Sequence, residues 1–137
     1  MRKSKRILFI TILLFLFLLQ SVYTLLSNNL VIDEPSYIAV GYYFVKYVDT
    51  HMAILHPPLT MLLSGFPLLF TQINMPYDYQ KCIDVGYYKC SQDFFFETGN
   101  DAEKIGSYAR IPFLFLSVLL GLLLFFFTED IFGTKAG

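Results

Sequence analysis

Residues 7–26 read ILFITILLFLFLLQSVYTLL, and this run decides the class of the chain. Its only polar members are Thr11, Gln20, Ser21, Tyr23 and Thr24, and none is charged. A helix rises about 1.5 Å per residue, so the run reaches roughly 30 Å, the apolar thickness of one bilayer. Residues 111–127 form a second uncharged run, with FLFLSVLLGLLLFFF at its centre. It lies at the short end of the spanning range, roughly 17 to 25 residues. Ser117 and Gly121 stand four apart within it. They offer a small-residue face to another helix, or are simply tolerated in lipid. The expected fold is an all-α membrane protein, with two transmembrane helices joined by a loop domain of amphipathic or interfacial helices. The boundaries read 1–6 for a basic N-terminus, 7–27 for the first span, 28–110 for the loop domain, 111–127 for the second span and 128–137 for a tail.

Composition agrees. The 137 residues are 55% hydrophobic and 15% charged, with a mean hydropathy of +0.54. A soluble domain carries about 25% charged residues. The balance excludes disorder and speaks against an ordinary water-soluble domain. Net charge is −1, so no nucleic-acid partner is expected. The length holds two or three spans and one modest loop, too little for a transporter with a substrate path.

Orientation follows from Lys and Arg. Arg2, Lys3, Lys5 and Arg6 precede the first run, and no acid occurs before Asp33. The positive-inside rule places the N-terminus in the cytoplasm and residues 28–110 outside it, in a plasma or endoplasmic reticulum membrane. That loop holds nine acids and five bases, with no basic excess to keep it inside. A cleaved signal peptide is the rival reading of the first run. The exit Gln20-Ser21-Val22-Tyr23-Thr24 lacks a small-x-small cleavage site, so an uncleaved span is expected.

Within the loop, Asp33-Glu34-Pro35 reads as a helix start, with acids and proline in the first turn. Tyr37, Val40, Gly41, Phe44, Val45 and Val48 recur at helical spacing and predict one apolar face, with Lys46 and Asp49 on the other side. Pro57 and Pro58 forbid a helix through that point but can begin the next. Residues 59–70, LTMLLSGFPLLF, are almost wholly apolar yet too few to span, so an interfacial segment is expected. Cys82 and Cys90 bracket seven residues. They form a disulfide if the loop is outside the cytoplasm, or remain two free or buried thiols. A zinc site is not expected, since both histidines lie far upstream and no Cys-x-x-Cys occurs. Asn100-Asp101-Ala102-Glu103 reads as a capping box with Asn100 as the cap. It would start the helix that becomes the second span at Arg110. The triple Phe94-Phe95-Phe96 either packs on the loop core, the preferred reading, or dips into the interface. Asp49 and His51 are expected to be solvated.

Chemistry narrows to Asp33-Glu34 after the first span, His56-Pro57-Pro58-Leu59, and Arg110 before the second. There is no phosphate-binding glycine loop, no His-Glu-x-x-His and no nucleophile elbow. A carboxylate can take a proton from a hydroxyl acceptor, and a guanidinium can neutralise a phosphate with paired hydrogen bonds. Each residue also has a plain role: Asp33 and Glu34 capping a helix, His56 bonding a turn carbonyl, Arg110 anchoring a helix end.

Taken in order, Asp33, Glu34, Tyr37, Gly41, Tyr42, Tyr43, His56, Pro57, Pro58, Leu59, Ala109 and Arg110 resemble the N-terminus of integral-membrane glycosyltransferases of the C superfamily. The nearest group is that of protein O-mannosyltransferases and lipid A aminoarabinose transferases. Ile131-Phe132-Gly133 resembles the short turn after that family's second span. The resemblance implies sugar transfer from a polyprenyl or dolichyl phosphate to a hydroxyl outside the cytoplasm. It implies Asp33 as base or acceptor-orienting acid, with Glu34 completing the catalytic motif. It implies substrate-binding roles for His56, Tyr37 and Arg110, the last facing the donor phosphate. Some members need a divalent metal and others do not, so no cofactor follows from it. Complete members carry many more spans, and a bracket such as Cys82–Cys90 is not one of their features. The chain therefore reads as a fragment, a truncated frame or a split subunit, inactive alone. Its partners would be membrane lipids, the lipid-phosphate sugar donor and the missing C-terminal part. The alternative is a complete, non-catalytic two-span protein whose outer domain binds a partner or lipid.

Overall fold

Both long apolar runs are helical. In a computed structural model, which describes residues 3–49, 51–53 and 57–133, every regular element is a helix and no strand occurs among the described residues. His56 lies outside the described residues. The chain divides into two compact units, one made of the long apolar helices and one spanning Asn28–Pro112.

The first unit contains α1, Lys3–Ser27, and the part of α6, Ala102–Phe132, that follows Pro112. Both helices are long and apolar enough to cross a membrane. Their apolar windows are not covered by protein, which in water would be an exposed patch far beyond what a monomer tolerates. Arg6 pairs with Glu129, and a Cβ on Gly121 would lie 3.1 Å from the Leu14 side chain. Those two pairings run antiparallel. Gly121 thus takes its place beside a helix, whereas the Ser117 hydroxyl donates back to the Phe113 carbonyl. The helix continues to Phe132, so the first five residues of the expected tail are helical.

The second unit is built around α2, Glu34–Tyr47. The expected one-sided apolar face is not what forms. Ile38, Ala39, Val40, Gly41, Tyr42 and Tyr43 are all buried in succession, because the helix is enclosed by α3, Pro58–Gly65, and α5, Tyr87–Phe96. Val48 ends it in a left-handed conformation and is exposed. Two glycines allow the closest approach. A Cβ on Gly41 would sit 2.1 Å from the Met61 carbonyl oxygen, and one on Gly65 2.2 Å from the Gly41 carbonyl. Helices α2 and α3 therefore meet backbone to backbone.

After α3 the chain tightens into a 3₁₀ segment, Phe66–Phe70, at Pro67. Met61, Ser64, Gly65 and Leu68 face the core, while Leu59, Phe66, Leu69 and Phe70 are exposed. Residues 59–70, expected as an interfacial segment, thus divide between the core and an exposed apolar side. Helix α4, Tyr79–Val85, follows, capped by the Asp78 carboxylate on the Lys81 amide. Cys82 and Cys90 are joined in a disulfide, with Cα atoms 5.3 Å apart and both residues buried. Phe94 and Phe95 are core residues and Phe96 is exposed, so packing holds for two of the three.

The cap of α6 lies one residue later than the capping box suggests. Asp101, not Asn100, accepts the Lys104 amide. The Asn100 amide instead ties segments together: Nδ2 donates to the carbonyls of Phe94 and Asn74, and Oδ1 accepts the Asn74 amide. Three bonds, two of them to Asn74 across 26 positions, outcompete one local cap.

Candidate functional site

The site is built from the first turn of α2. Pro35 presets the helical backbone there, and Asp33 and Glu34 precede it. The adjacent carboxylates take different surroundings. Glu34 Oε1 accepts from Arg110 Nε at 2.7 Å and Oε2 from Arg110 Nη2 at 2.6 Å, a paired, half-buried contact. Oε2 also accepts the Val31 amide at 2.8 Å. Arg110 donates further to the Asn28 carbonyl at 2.8 Å and the Asn29 carbonyl at 3.0 Å. One guanidinium thus fastens the segment before α2, the start of α2 and the third turn of α6. Burial pushes the Glu34 carboxyl up. The Arg110 hydrogen bonds, the Val31 amide and the Arg110 charge outweigh it and hold the group below its ordinary value.

Asp33 is the N-cap residue by position, yet its side chain makes no capping hydrogen bond. The carboxylate is exposed and lines a cavity of about 170 Å³. Asp33, Ser36, Tyr37 and Val40 line one side, and their spacing of three and four marks a single face of α2. Met52, Met61, Tyr87 and Tyr88 complete the lining. Among the described residues no Lys or Arg lines it. The cavity has room for several waters or one small headgroup. A carboxylate at its wall can accept a hydroxyl proton, the first requirement of general-base chemistry. A wider cavity of about 400 Å³, bounded in part by Phe70, Asn100 and Lys104, holds none of the candidate catalytic or substrate-binding residues read from the sequence.

The structure therefore brings Asp33 and Tyr37 together at one cavity, and Glu34 and Arg110 together in an ion pair. Asp49 and His51 are bonded to one another, with Asp49 Oδ1 2.5 Å from His51 Nδ1, and the His51 ring is exposed. Among the described residues no three His, Cys, Asp or Glu side chains converge as a metal site would require.

The sequence reading omitted Ser36, Met52, Met61, Tyr87 and Tyr88. Ser36 was findable, since it falls three residues after Asp33 on the face that Tyr37 and Val40 share. The tyrosines were not, because α5 comes to the α2 cavity only through tertiary packing. A buried polar group was missed too. Asp93 sits in the core of α5, where Lys89 Nζ at 2.5 Å and the Tyr77 hydroxyl both donate to it. The Lys89 and then the Tyr77 hydrogen bond hold its carboxyl low. Fold and site together define a helical chain with two long apolar helices and an intervening helical unit that carries a carboxylate-lined cavity. No protein-family model, curated protein or solved structure matches it.

Proposed function

We propose that this chain is the N-terminal part of an integral-membrane glycosyltransferase, moving a sugar from a polyprenyl or dolichyl phosphate to a hydroxyl acceptor outside the cytoplasm. The observation that carries the reading is the Asp33 carboxylate, which no capping bond occupies and which lines a cavity beside Tyr37. In the reaction Asp33 takes the acceptor hydroxyl proton as the acceptor oxygen bonds to the anomeric carbon. The bond from that carbon to the phosphate oxygen breaks, and the lipid phosphate leaves with the electron pair. Glu34 and Arg110 act here as positioning residues, fixing the helix turn that carries Asp33. The four basic residues before the first apolar run support a cytoplasmic N-terminus and an outer location for the cavity.

Asp33→Asn in the full-length enzyme is expected to abolish transfer, with membrane insertion and the Cys82–Cys90 bridge intact. Undiminished transfer by that variant removes the mechanism. A second reading, a non-catalytic two-span protein whose outer unit holds a partner or lipid, is favoured by the exposed apolar face of Leu59, Phe66 and Phe70. It predicts a partner that co-purifies at fixed stoichiometry.

A further inference from the structure

Helix α5 changes character after its first turn. Cys90, Ser91, Asp93, Phe94 and Phe95 are buried, but Tyr87 and Tyr88 at its start are 44% and 60% exposed. Both line the Asp33 cavity. Two adjacent open tyrosines contribute little to a core, so their aromatic faces remain available to a ligand.

Their placement is fixed from both sides. Gly86 separates α4 from α5 with φ +87°, ψ 143°, a conformation that side-chain-bearing residues rarely adopt. No atom lies near a Cβ built there, so the glycine serves the backbone turn and not a close approach. The buried Cys82–Cys90 bridge closes the chain around the tyrosine pair. Ser91 Oγ holds the Tyr87 carbonyl at 2.7 Å, and Lys89 is tied to Asp93 one turn on. A wall fixed before the ligand arrives loses less freedom on binding.

The lining also limits what can bind. It carries one carboxylate and, among the described residues, no cation to offset it. An anion entering would meet like charge and lose hydration with no cation among the described residues to offset it. Asp33, Ser36 and the tyrosine hydroxyls can bond hydroxyl groups, while Tyr rings, Met52 and Met61 cover apolar edges. We infer that Tyr87 and Tyr88 are ligand-contacting, specificity-determining residues, held as a preformed wall by the Cys82–Cys90 bridge, and that the group they contact is an uncharged polyhydroxyl ring. The inference rests on the reading of the Asp33 cavity as the substrate site. It adds residues outside the Asp-Glu and His-Pro-Pro motifs and makes this cavity the acceptor's side of the site, with the donor phosphate beyond it.

The test uses the whole chain in phospholipid nanodiscs, with methyl glucoside and glucose phosphate as probes that share one ring, their binding read by saturation-transfer NMR. The neutral probe is expected to bind at least about tenfold more tightly than the phosphorylated one. Tyr87→Ala and Tyr88→Ala should each weaken the neutral probe about two- to tenfold, the range of a stacked aromatic contact. Tyr87→Phe and Tyr88→Phe keep the ring face and should stay within about twofold. The Cys82→Ser, Cys90→Ser double variant should lose as much as the alanine pair; the alanine variants decide the matter if that double variant does not fold. Unchanged binding in both alanine variants, or tighter binding of the phosphorylated probe, overturns the inference. If Asp33→Ala loses the neutral probe while the tyrosine variants keep it, the cavity reading survives and only the wall assignment falls. If wild type binds neither probe, both fall.

Discussion

Replacing Gly41 by alanine tests the contact on which the cavity walls depend. The added Cβ would lie 2.1 Å from the Met61 carbonyl oxygen and 2.8 Å from its carbonyl carbon. A carbon and a carbonyl oxygen rest at about 3.3–3.6 Å, so the α3 backbone must recede by more than about 1 Å. Backbone atoms cannot turn aside as a flexible side chain can. Overpacking of this kind costs about 1–3 kcal/mol, and the backbone clash puts Gly41→Ala at the upper end. Alanine returns about 1 kcal/mol through helix propensity. The expected net loss is about 2 kcal/mol, close to a thirtyfold shift toward unfolding. Gly65→Ala should behave alike, since its Cβ would strike the Gly41 carbonyl. The double variant should cost less than the sum, because one displacement relieves both clashes. Urea titration in nanodiscs measures this through the near-UV signal of the tyrosines, as the chain has no tryptophan. Val40 and Met61 line the cavity on either side of this crossing, so neutral-probe binding should weaken as well. A Gly41→Ala protein as stable as wild type refutes the backbone-to-backbone packing.

Two further outcomes follow from hydrogen bonds within the same unit, Asn28–Pro112. The folded Glu34 carboxyl is held below its unfolded value, so its contribution to stability is present above about pH 4.5 and is lost as pH falls through the folded value. The stability gap between wild type and Glu34→Gln should therefore narrow on acidification below about pH 4.5, and a gap that widens contradicts the pairing with Arg110. Asn100→Ala removes three hydrogen bonds that join the end of α5 to the segment at Asn74 and should cost about 1–2 kcal/mol. Asp101→Ala, which removes only the cap, should cost about 1 kcal/mol, and the reverse order would restore the box as first read.

Much of this fold is written in local pattern. An uncharged twenty-residue run has few alternatives to a long helix, and Pro35 after two acids marks a helix start whatever surrounds it. The cysteine bracket left two readings, and the 5.3 Å Cα separation fits the bridged one. What local pattern does not carry is enclosure. The periodicity of α2 suggested one apolar face, yet Ala39, Tyr42 and Tyr43 are buried as well, because helices distant in sequence cover them. The capping box failed for the same kind of reason. Asn100 had a local cap to make and three other bonds, two of them to distant Asn74, and those prevailed. Asp93 reads as a surface residue of a short helix until Tyr77, sixteen positions earlier, is brought against it.

The Asp-Glu pair shows why adjacent acids need not share a task. Successive residues on a helix point about 100° apart, so neighbouring carboxylates readily take different surroundings. Glu34 turns toward Arg110 and carries the cost of burial with full compensation. Asp33, one step away, looks onto the cavity without such a cation among the described residues. Exchanging the two identities would separate these effects. With glutamate at 33 and aspartate at 34, the shorter acid falls roughly 1.5 Å short of Arg110, one methylene of reach. Such a protein should lose the paired contact, and with it the fixed start of α2, before it loses a carboxylate at the cavity. Stability should therefore fall further than neutral-probe binding, corrected for the folded fraction. Were binding to collapse in a fully folded exchange variant, the length of the side chain at position 33, and not only its charge, would define the site.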